Sequence, residues 1–356
     1  MQMKIAKEKI KINVLLTSSR SPISLGRIVS LKENSDYDFY VVGTNADNSF
    51  KLPMLDEQIQ VPFGNDPGFI PALKKIVVEK KIQSIVPASD YETIAIARHK
   101  EEFEDLGAGC VCSKAKVTEI AIDKAKMLHF LKNKGIAVPE FETPQNIWEL
   151  KEAARRLNYP QKTLVFKPAF AGGGNRGVWF VKENFGSDLL NARSIGFVTL
   201  DELSRQLQKL SEFPRVVLMQ YLPGEEYSTD ALSQNGEVVY VLPRVRISPL
   251  PGYSQEGAIK PNEEVRRYVT EIAEAFEFDS IFNVQLKYSE DGEPLVYEIN
   301  PRVSATAVAN ATAGIDIVLF AILKSIKLDY PKKLRFSPKR MVRFWKEYYS
   351  DYGGVV

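Results

Sequence analysis

The chain has only two cysteines and two histidines in 356 residues. That scarcity removes most metal and nucleophile chemistry from consideration. A structural zinc site needs about four Cys or His ligands. Cys110 and Cys112 stand together in an apolar run, GCVCS, with no histidine nearby in sequence, and read as reduced, buried thiols. His99 and His129 lie far apart in helical patterns and read as surface or core residues, so no Ser/His/Asp or Cys/His triad assembles. An excess of one charge is missing too. Lys and Arg number 47 against 45 Asp and Glu, a net charge of +2 spread along the chain, so no nucleic-acid partner is expected and any phosphate binding has to be local. No apolar run is long enough to span a bilayer, and the N-terminus has no apolar core followed by a small-residue cleavage site, so the expectation is a soluble cytoplasmic protein without membrane contact.

What is present is a regular alternation of strands and helices. KINVLLT, DFYVVGT and SIVPAS alternate with helical stretches near 22–31, 67–80 and 91–103. This predicts parallel pairing through crossovers, and a Rossmann-like unit over residues 1–113. Its first turn, TSSRSPISLG, lacks the G-x-G-x-x-G of dinucleotide sites. Ser89, Asp90 and Glu92 follow the third of these strands, and a helix start with an acidic first turn accounts for them. From Lys114 to Gly135 the chain is strongly helical. Asp123 is suited to cap a second helix there, with Lys124 in its first turn. A further helix is expected at about 146–157.

The strand TLVFKPA places Lys167 just before a glycine-rich loop, AGGGNRG. Gly172, Gly173, Gly174 and Gly177 free the backbone to turn N–H groups toward anionic oxygens, with Arg176 adding charge. The loop joins two strands and no G-K-[ST] ends it, so it reads as a flap over phosphates and not as a P-loop. Farther on, VVLMQYLPGEEYSTDAL reads as a strand interrupted at Pro223-Gly224 and resumed with Glu225, Glu226 and Asp230. Such a break frees main-chain groups for a purine edge and places an acid near ribose hydroxyls. Arg244 and Arg246 share one face of EVVYVLPRVRIS, which suits an acidic substrate or phosphate but also a solvated face.

The densest chemistry lies in 281–302, two strands around Glu290-Asp291-Gly292. Period-two alternation puts Asn283, Gln285 and Lys287 on one face of the first strand, and Glu298, Asn300 and Arg302 on one face of the second. Gln285, Glu298 and Asn300 form an all-oxygen set that suits Mg²⁺ bridging to nucleotide phosphates. A half-buried hairpin with a solvated polar face is the plainer alternative.

In order, Asp123-Lys124, Phe166-Lys167-Pro168, the glycine loop, 220–226, Asn283-x-Gln285 and Glu298-x-Asn300-Pro301-Arg302 resemble the ATP-grasp superfamily. The resemblance is closest to the ATP-grasp unit of the carbamoyl-phosphate synthase large subunit and its stand-alone relatives. It implies a fold in the α/β and α+β classes. A Rossmann-like pre-ATP-grasp domain at 1–113 would precede an ATP-grasp domain at 114–356, with a small lid subdomain at about 145–222 and a central and C-terminal subdomain at about 223–356. It implies ATP and two Mg²⁺ ions, with Mn²⁺ an acceptable substitute. Lys124, Lys167 and the flap glycines would hold phosphates, Met219, Gln220, Tyr221 and Leu222 the adenine, Glu226 the ribose, and Gln285, Glu298 and Asn300 the metals. Arg302 and Lys167 would act on the transferred phosphoryl group, and Arg244 or Arg246 would orient the substrate carboxylate. The segment VSATAVANATAG after Arg302 should border the acceptor pocket. The implied activity is an ADP-forming ligase joining small-molecule carboxylates to amines, or to thiols, through an acyl phosphate. A homodimer is an assembly open to it, as relatives often dimerise. A fragment of a split carbamoyl-phosphate synthase and a non-catalytic ATP-binding regulator remain as alternatives.

Overall fold

The computed structural model describes residues 9–20, 24–47, 52, 54–170, 177–183, 196–250 and 253–344. The first sheet is parallel throughout, in the order β3-β2-β1-β4-β5. Its strands are β1 (Ile10–Leu16), β2 (Tyr37–Asn45), β3 (Glu57–Gln60), β4 (Ser84–Val86) and β5 (Gly109–Cys110). Helices α1 (Ser24–Lys32), α2 (Phe69–Glu79), α3 (Asp90–Arg98) and α4 (Lys100–Asp105) connect them. Two features differ from the sequence reading. Strand β3, EQIQ, has a single apolar residue and gives no strand pattern; its pairing with β2 makes it a strand. The helix expected over 91–103 breaks at His99, whose backbone leaves the helical region.

Helices α5 (Ala115–Ile122) and α6 (Lys124–Asn133) meet at Asp123, which caps α6 by accepting the Lys126 N–H. The second sheet runs β6-β10-β7-β8-β9. It contains β6 (Phe141–Glu142), β7 (Leu164–Pro168), β8 (Trp179–Val181), β9 (Gly196–Val198) and β10 (Val216–Gln220). Helices α7 (Ile147–Arg156) and α8 (Leu200–Leu207) cover it, joining Leu150, Ala153 and Leu203 to Leu164, Phe166 and Leu218 in one apolar cluster.

The third sheet has seven strands: β11 (Glu226–Gln234), β12 (Glu237–Leu242), β13 (Arg244–Leu250), β14 (Tyr253–Ile259), β15 (Ile281–Tyr288), β16 (Pro294–Asn300) and β17 (Lys339–Val342). Its order is β16-β15-β11-β13-β14-β17, with β12 also on β11. The stretch 216–234 is therefore not one interrupted strand. Strand β10 belongs to the second sheet and β11 to the third, and 221–225 is the strap between them. Pro223 can donate no ladder hydrogen bond. Gly224 donates to Tyr288 O at 2.9 Å, and a Cβ there would lie 2.6 Å from Tyr288 Cβ.

Helices α9 (Glu263–Phe276), α10 (Ala309–Thr312) and α11 (Ile317–Ser325) complete the described structure. Helix α11 is buried at every residue from Ile317 to Leu323, because it lies between the first and third sheets. It joins Val14 and Leu16 to Leu232 and Ile281 in one core. The fit is close: a Cβ on Gly109 of β5 would lie 1.9 Å from Ser325 O. That packing holds the first sheet's helices against the hairpin.

Candidate active site

The β15–β16 hairpin turns through 289–293, with Gly292 at a φ of +80°. Its register sets Asn283 opposite Asn300 and Gln285 opposite Glu298, so these side chains share a face as the alternation predicts. A bulge follows. Leu286 pairs with Val296, leaving Tyr297 as the extra residue. The Tyr297 hydroxyl donates to Glu226 Oε1 at 2.7 Å and lies 3.1 Å from Gln285 Oε1. Alternation from Glu298 assigns Tyr297 to the opposite face, which is why sequence reasoning missed it.

Two lysines converge on this floor. Lys124 opens α6, placed by its own N–H donating to Ala169 O at 2.8 Å, and its Nζ lies 3.6 Å from Glu298 Oε2. Lys167 on β7 is 5% exposed, with Nζ 4.7 Å from the centre of the Tyr297 ring. Burial, and secondarily the charge of Lys124, lowers its pKa to about 7. Among the described residues Lys167 forms no ion pair. A buried ammonium in that condition favours an incoming anion, and the residues present fit a phosphate chain.

Glu226, at the start of β11, forms an ion pair with Arg246 as well as accepting from Tyr297. Arg246 is thereby committed to Glu226 and Ser254. Arg244 is 1% exposed. Its Nη2 donates to Ser228 Oγ at 2.9 Å and to Thr306 Oγ1, and its Nη1 to Ser254 Oγ at 3.3 Å. Burial lowers even this guanidinium to a pKa of about 10. Asn283 lies deeper, fully buried, donating to Asp230 Oδ1 at 2.9 Å.

Met219 and Leu222 are buried, while Tyr221 is partly exposed with its ring edge-on to Phe180 and the Lys287 ammonium 5.3 Å from its centre. The Gln220 amide accepts the Glu140 N–H at 2.8 Å, so this side chain pins the chain beside β6. Gly172, Gly173, Gly174 and Arg176 lie outside the described residues; Gly177 follows with a φ of +71°.

Arg302 donates through Nε to Asp90 Oδ1 at 2.8 Å and through Nη2 to Asn300 Oδ1 at 3.0 Å. Asp90 is thus more than a helix-start acid: it reaches from α3 to hold an arginine of the hairpin. Its neighbour Glu92 also reaches beyond the helix start, accepting from the hydroxyls of Thr17 and Ser18, which follow β1, as well as from Ser89.

The candidate metal-ligand set, Gln285, Glu298 and Asn300, is one carboxylate and two amides. Among the described residues no group of three or more His, Cys, Asp and Glu side chains converges, so this is no self-sufficient metal cage. The donors fit a hard cation that keeps waters and arrives on phosphate oxygens.

A family model described as "ATP-grasp in the biosynthetic pathway with Ter operon" matches residues 212–345. A carbamoyl-phosphate synthase of Methanobrevibacter smithii is 23% identical over 79% of this chain and 75% of that protein. The chain spans less than half of several other carbamoyl-phosphate synthase large chains it matches. Among solved structures, N5-carboxyaminoimidazole synthetase from Staphylococcus aureus complexed with ADP aligns over 97% of this chain and 85% of that one, with a TM-score of 0.69 at 15% identity. The biotin carboxylase domain of Hydrogenobacter thermophilus 2-oxoglutarate carboxylase, with MgADP and bicarbonate, aligns over 91% and 71%, with a TM-score of 0.66 at 18% identity. L-amino acid ligase from Bacillus licheniformis aligns over 90% and 75%, with a TM-score of 0.62 at 17% identity. The chain has the ATP-grasp fold, and its resemblance is to the ATP-grasp ligases and carboxylases, the carbamoyl-phosphate synthases among them. No helix among the described residues is long and apolar enough to cross a membrane.

Proposed function

We propose that the protein is an ADP-forming ligase that activates a small-molecule carboxylate with ATP and joins it to an amine or thiol. The observation that carries this reading is the shared face of Gln285, Glu298 and Asn300 beneath two lysines, one of them buried and without an ion pair among the described residues. Lys124 and Lys167 bind the phosphates of ATP, and Gln285, Glu298 and Asn300 would hold Mg²⁺. When bound, Mg²⁺ neutralises phosphate charge and so favours attack at the γ-phosphorus. Arg302, steadied by Asp90, stabilises charge on the transferred group, and Arg244 orients the acid.

In the first step a carboxylate oxygen bonds to the γ-phosphorus as the bond from that phosphorus to the β,γ-bridging oxygen breaks, and ADP leaves. The amine then adds to the acyl carbon, the carbon–oxygen bond to phosphate breaks, and the amine loses a proton. The protein's part is charge compensation and water exclusion, because an acyl phosphate hydrolyses readily.

The test is an ADP-release screen of carboxylates against amines and thiols, with products identified by mass. ADP release coupled to a condensed product supports the reading. MgATP binding without ADP formation across the screen overturns it in favour of a regulatory protein. The likeness to carbamoyl-phosphate synthase favours a second reading, with bicarbonate as the acid, and bicarbonate with ammonia is one arm of the screen.

A further inference from the structure

Arg27 belongs to α1, far in sequence from every residue named for ATP. It is 2% exposed, and its Nη2 donates to Ser304 O at 3.1 Å and to Val303 O at 3.3 Å. Helix α1 is seated closely there, since a Cβ on Gly26 would lie 3.3 Å from Val308 Cγ2. Nε and Nη1 of Arg27 are buried, and among the described residues neither has a hydrogen-bond partner.

The same short segment is held from other directions. Arg302 Nη1 donates to Val303 O, Arg343 Nη2 to Ala305 O at 3.0 Å, and Arg244 to Thr306 Oγ1. Arg244 Nε is also buried without a partner among the described residues. Compensation is incomplete. Asp90 answers Arg302, while Asp230, whose two oxygens accept from Asn283 and Asn310, is the carboxylate that acts on both Arg27 and Arg244, with Glu226 a lesser influence on Arg244.

A guanidinium cannot escape burial by losing its proton at physiological pH, and each unmet buried N–H carries a desolvation cost. An arginine that served only to tie down two carbonyls would not need its remaining fork buried and unmet, and Arg244 repeats the pattern at the other end of the same segment. A bound oxyanion would supply both acceptors and charge.

We propose that Arg27 and Arg244, around 303–306, form a subsite for a second anionic group on the acid substrate, a carboxylate or a phosphoryl group distinct from the carboxylate that ATP activates. This rests on the ligase reading for its place in the reaction, but the subsite itself is a binding claim that does not need turnover. The acid so selected is at least dianionic, which bicarbonate at neutral pH is not.

The experiment measures binding to the full-length chain, with Mg²⁺ and ADP present, by calorimetry. Succinate is compared with succinamate, which replaces one carboxylate by an amide of the same size, and 3-phosphonopropionate separates phosphoryl from carboxylate preference. The expected result is binding of succinate or 3-phosphonopropionate roughly 10- to 100-fold tighter than succinamate, the range expected of hydrogen bonds to charged groups. Arg27→Gln should remove that difference, and Arg27→Lys should restore part of it. Retained MgADP binding reports that each variant is folded. Equal affinity for the dianions and succinamate, or a difference that survives Arg27→Gln, overturns the subsite. If the difference is present and depends on Arg27 while no acid supports ADP release, the subsite stands and the ligase reading falls.

Discussion

Two groups of cations flank the hairpin, and they meet the cost of burial differently. Lys124 and Lys167 sit above the floor, where Glu298 partly compensates them and where Lys167 is lowered to a pKa of about 7. Arg27 and Arg244 meet the segment 303–306 that follows it, more completely buried and with donors left without a partner among the described residues. A lysine can wait for its anion as a neutral amine; an arginine waits charged. The contrast teaches that the lysine side should respond to pH, whereas the arginine side should respond to the charge of the acid.

The largest effect expected on the lysine side comes from Glu298→Ala. It removes the one carboxylate among the candidate metal ligands, and ADP release should fall by about 100- to 1,000-fold or more, by analogy with loss of a transition-state contact. Near-normal ADP release by this variant would sink the assignment of the floor.

Lys167→Met sharpens the comparison because it should move function and stability in opposite directions. MgATP binding should weaken by at least about tenfold, as for loss of a charge-assisted contact. Thermal stability should rise. The folded pKa of about 7 lies below a lysine's ordinary value of 10.5, so between these limits the unfolded chain binds more protons. The burden of the buried charge is therefore full below pH 7 and is relieved as pH rises toward 10.5. The variant's gain in melting temperature should be largest at or below pH 7 and should shrink toward pH 10. Equal gains at both ends would contradict the burial argument.

The same shift predicts proton uptake. Phosphates favour the ammonium, so MgATP binding at pH 8 should take up about one proton, and affinity should fall above pH 7 but stay level just below it. Calorimetry in buffers of differing ionisation enthalpy measures this directly. No buffer dependence would show that Lys167 does not face the nucleotide.

Asp90→Asn tests whether the first sheet's helices tune the hairpin. It keeps a hydrogen-bond acceptor but removes the charge facing Arg302, and should lower kcat by about tenfold with less change in the KM for ATP, as expected of a positioning residue that tunes a catalytic group. A KM effect without a kcat effect would place Asp90 in substrate binding. The smallest change is expected of Tyr297→Phe, which loses the hydroxyl between Glu226 and Gln285 and should cost about 1 kcal/mol of stability, read as a shifted urea midpoint.

Local pattern determined a good deal of this protein. Period-two alternation placed Gln285, Glu298 and Asn300 on one face, the capping residue Asp123 placed Lys124, and the strand–helix alternation of the first hundred residues produced the parallel sheet. Each of these rests on neighbours within a few positions, where backbone geometry dictates direction. Other features belong to the tertiary structure alone. The bulge that turns Tyr297 onto the floor depends on register with a partner strand. The strap 221–225 reads in sequence as a gap in one strand, and only the assembly of two sheets makes it a passage between them. Asp90 meets Arg302 across 212 positions and Arg27 meets Val303 across 276. Those contacts follow from α11 being packed between two sheets, and no periodicity along the chain encodes a distance of that kind.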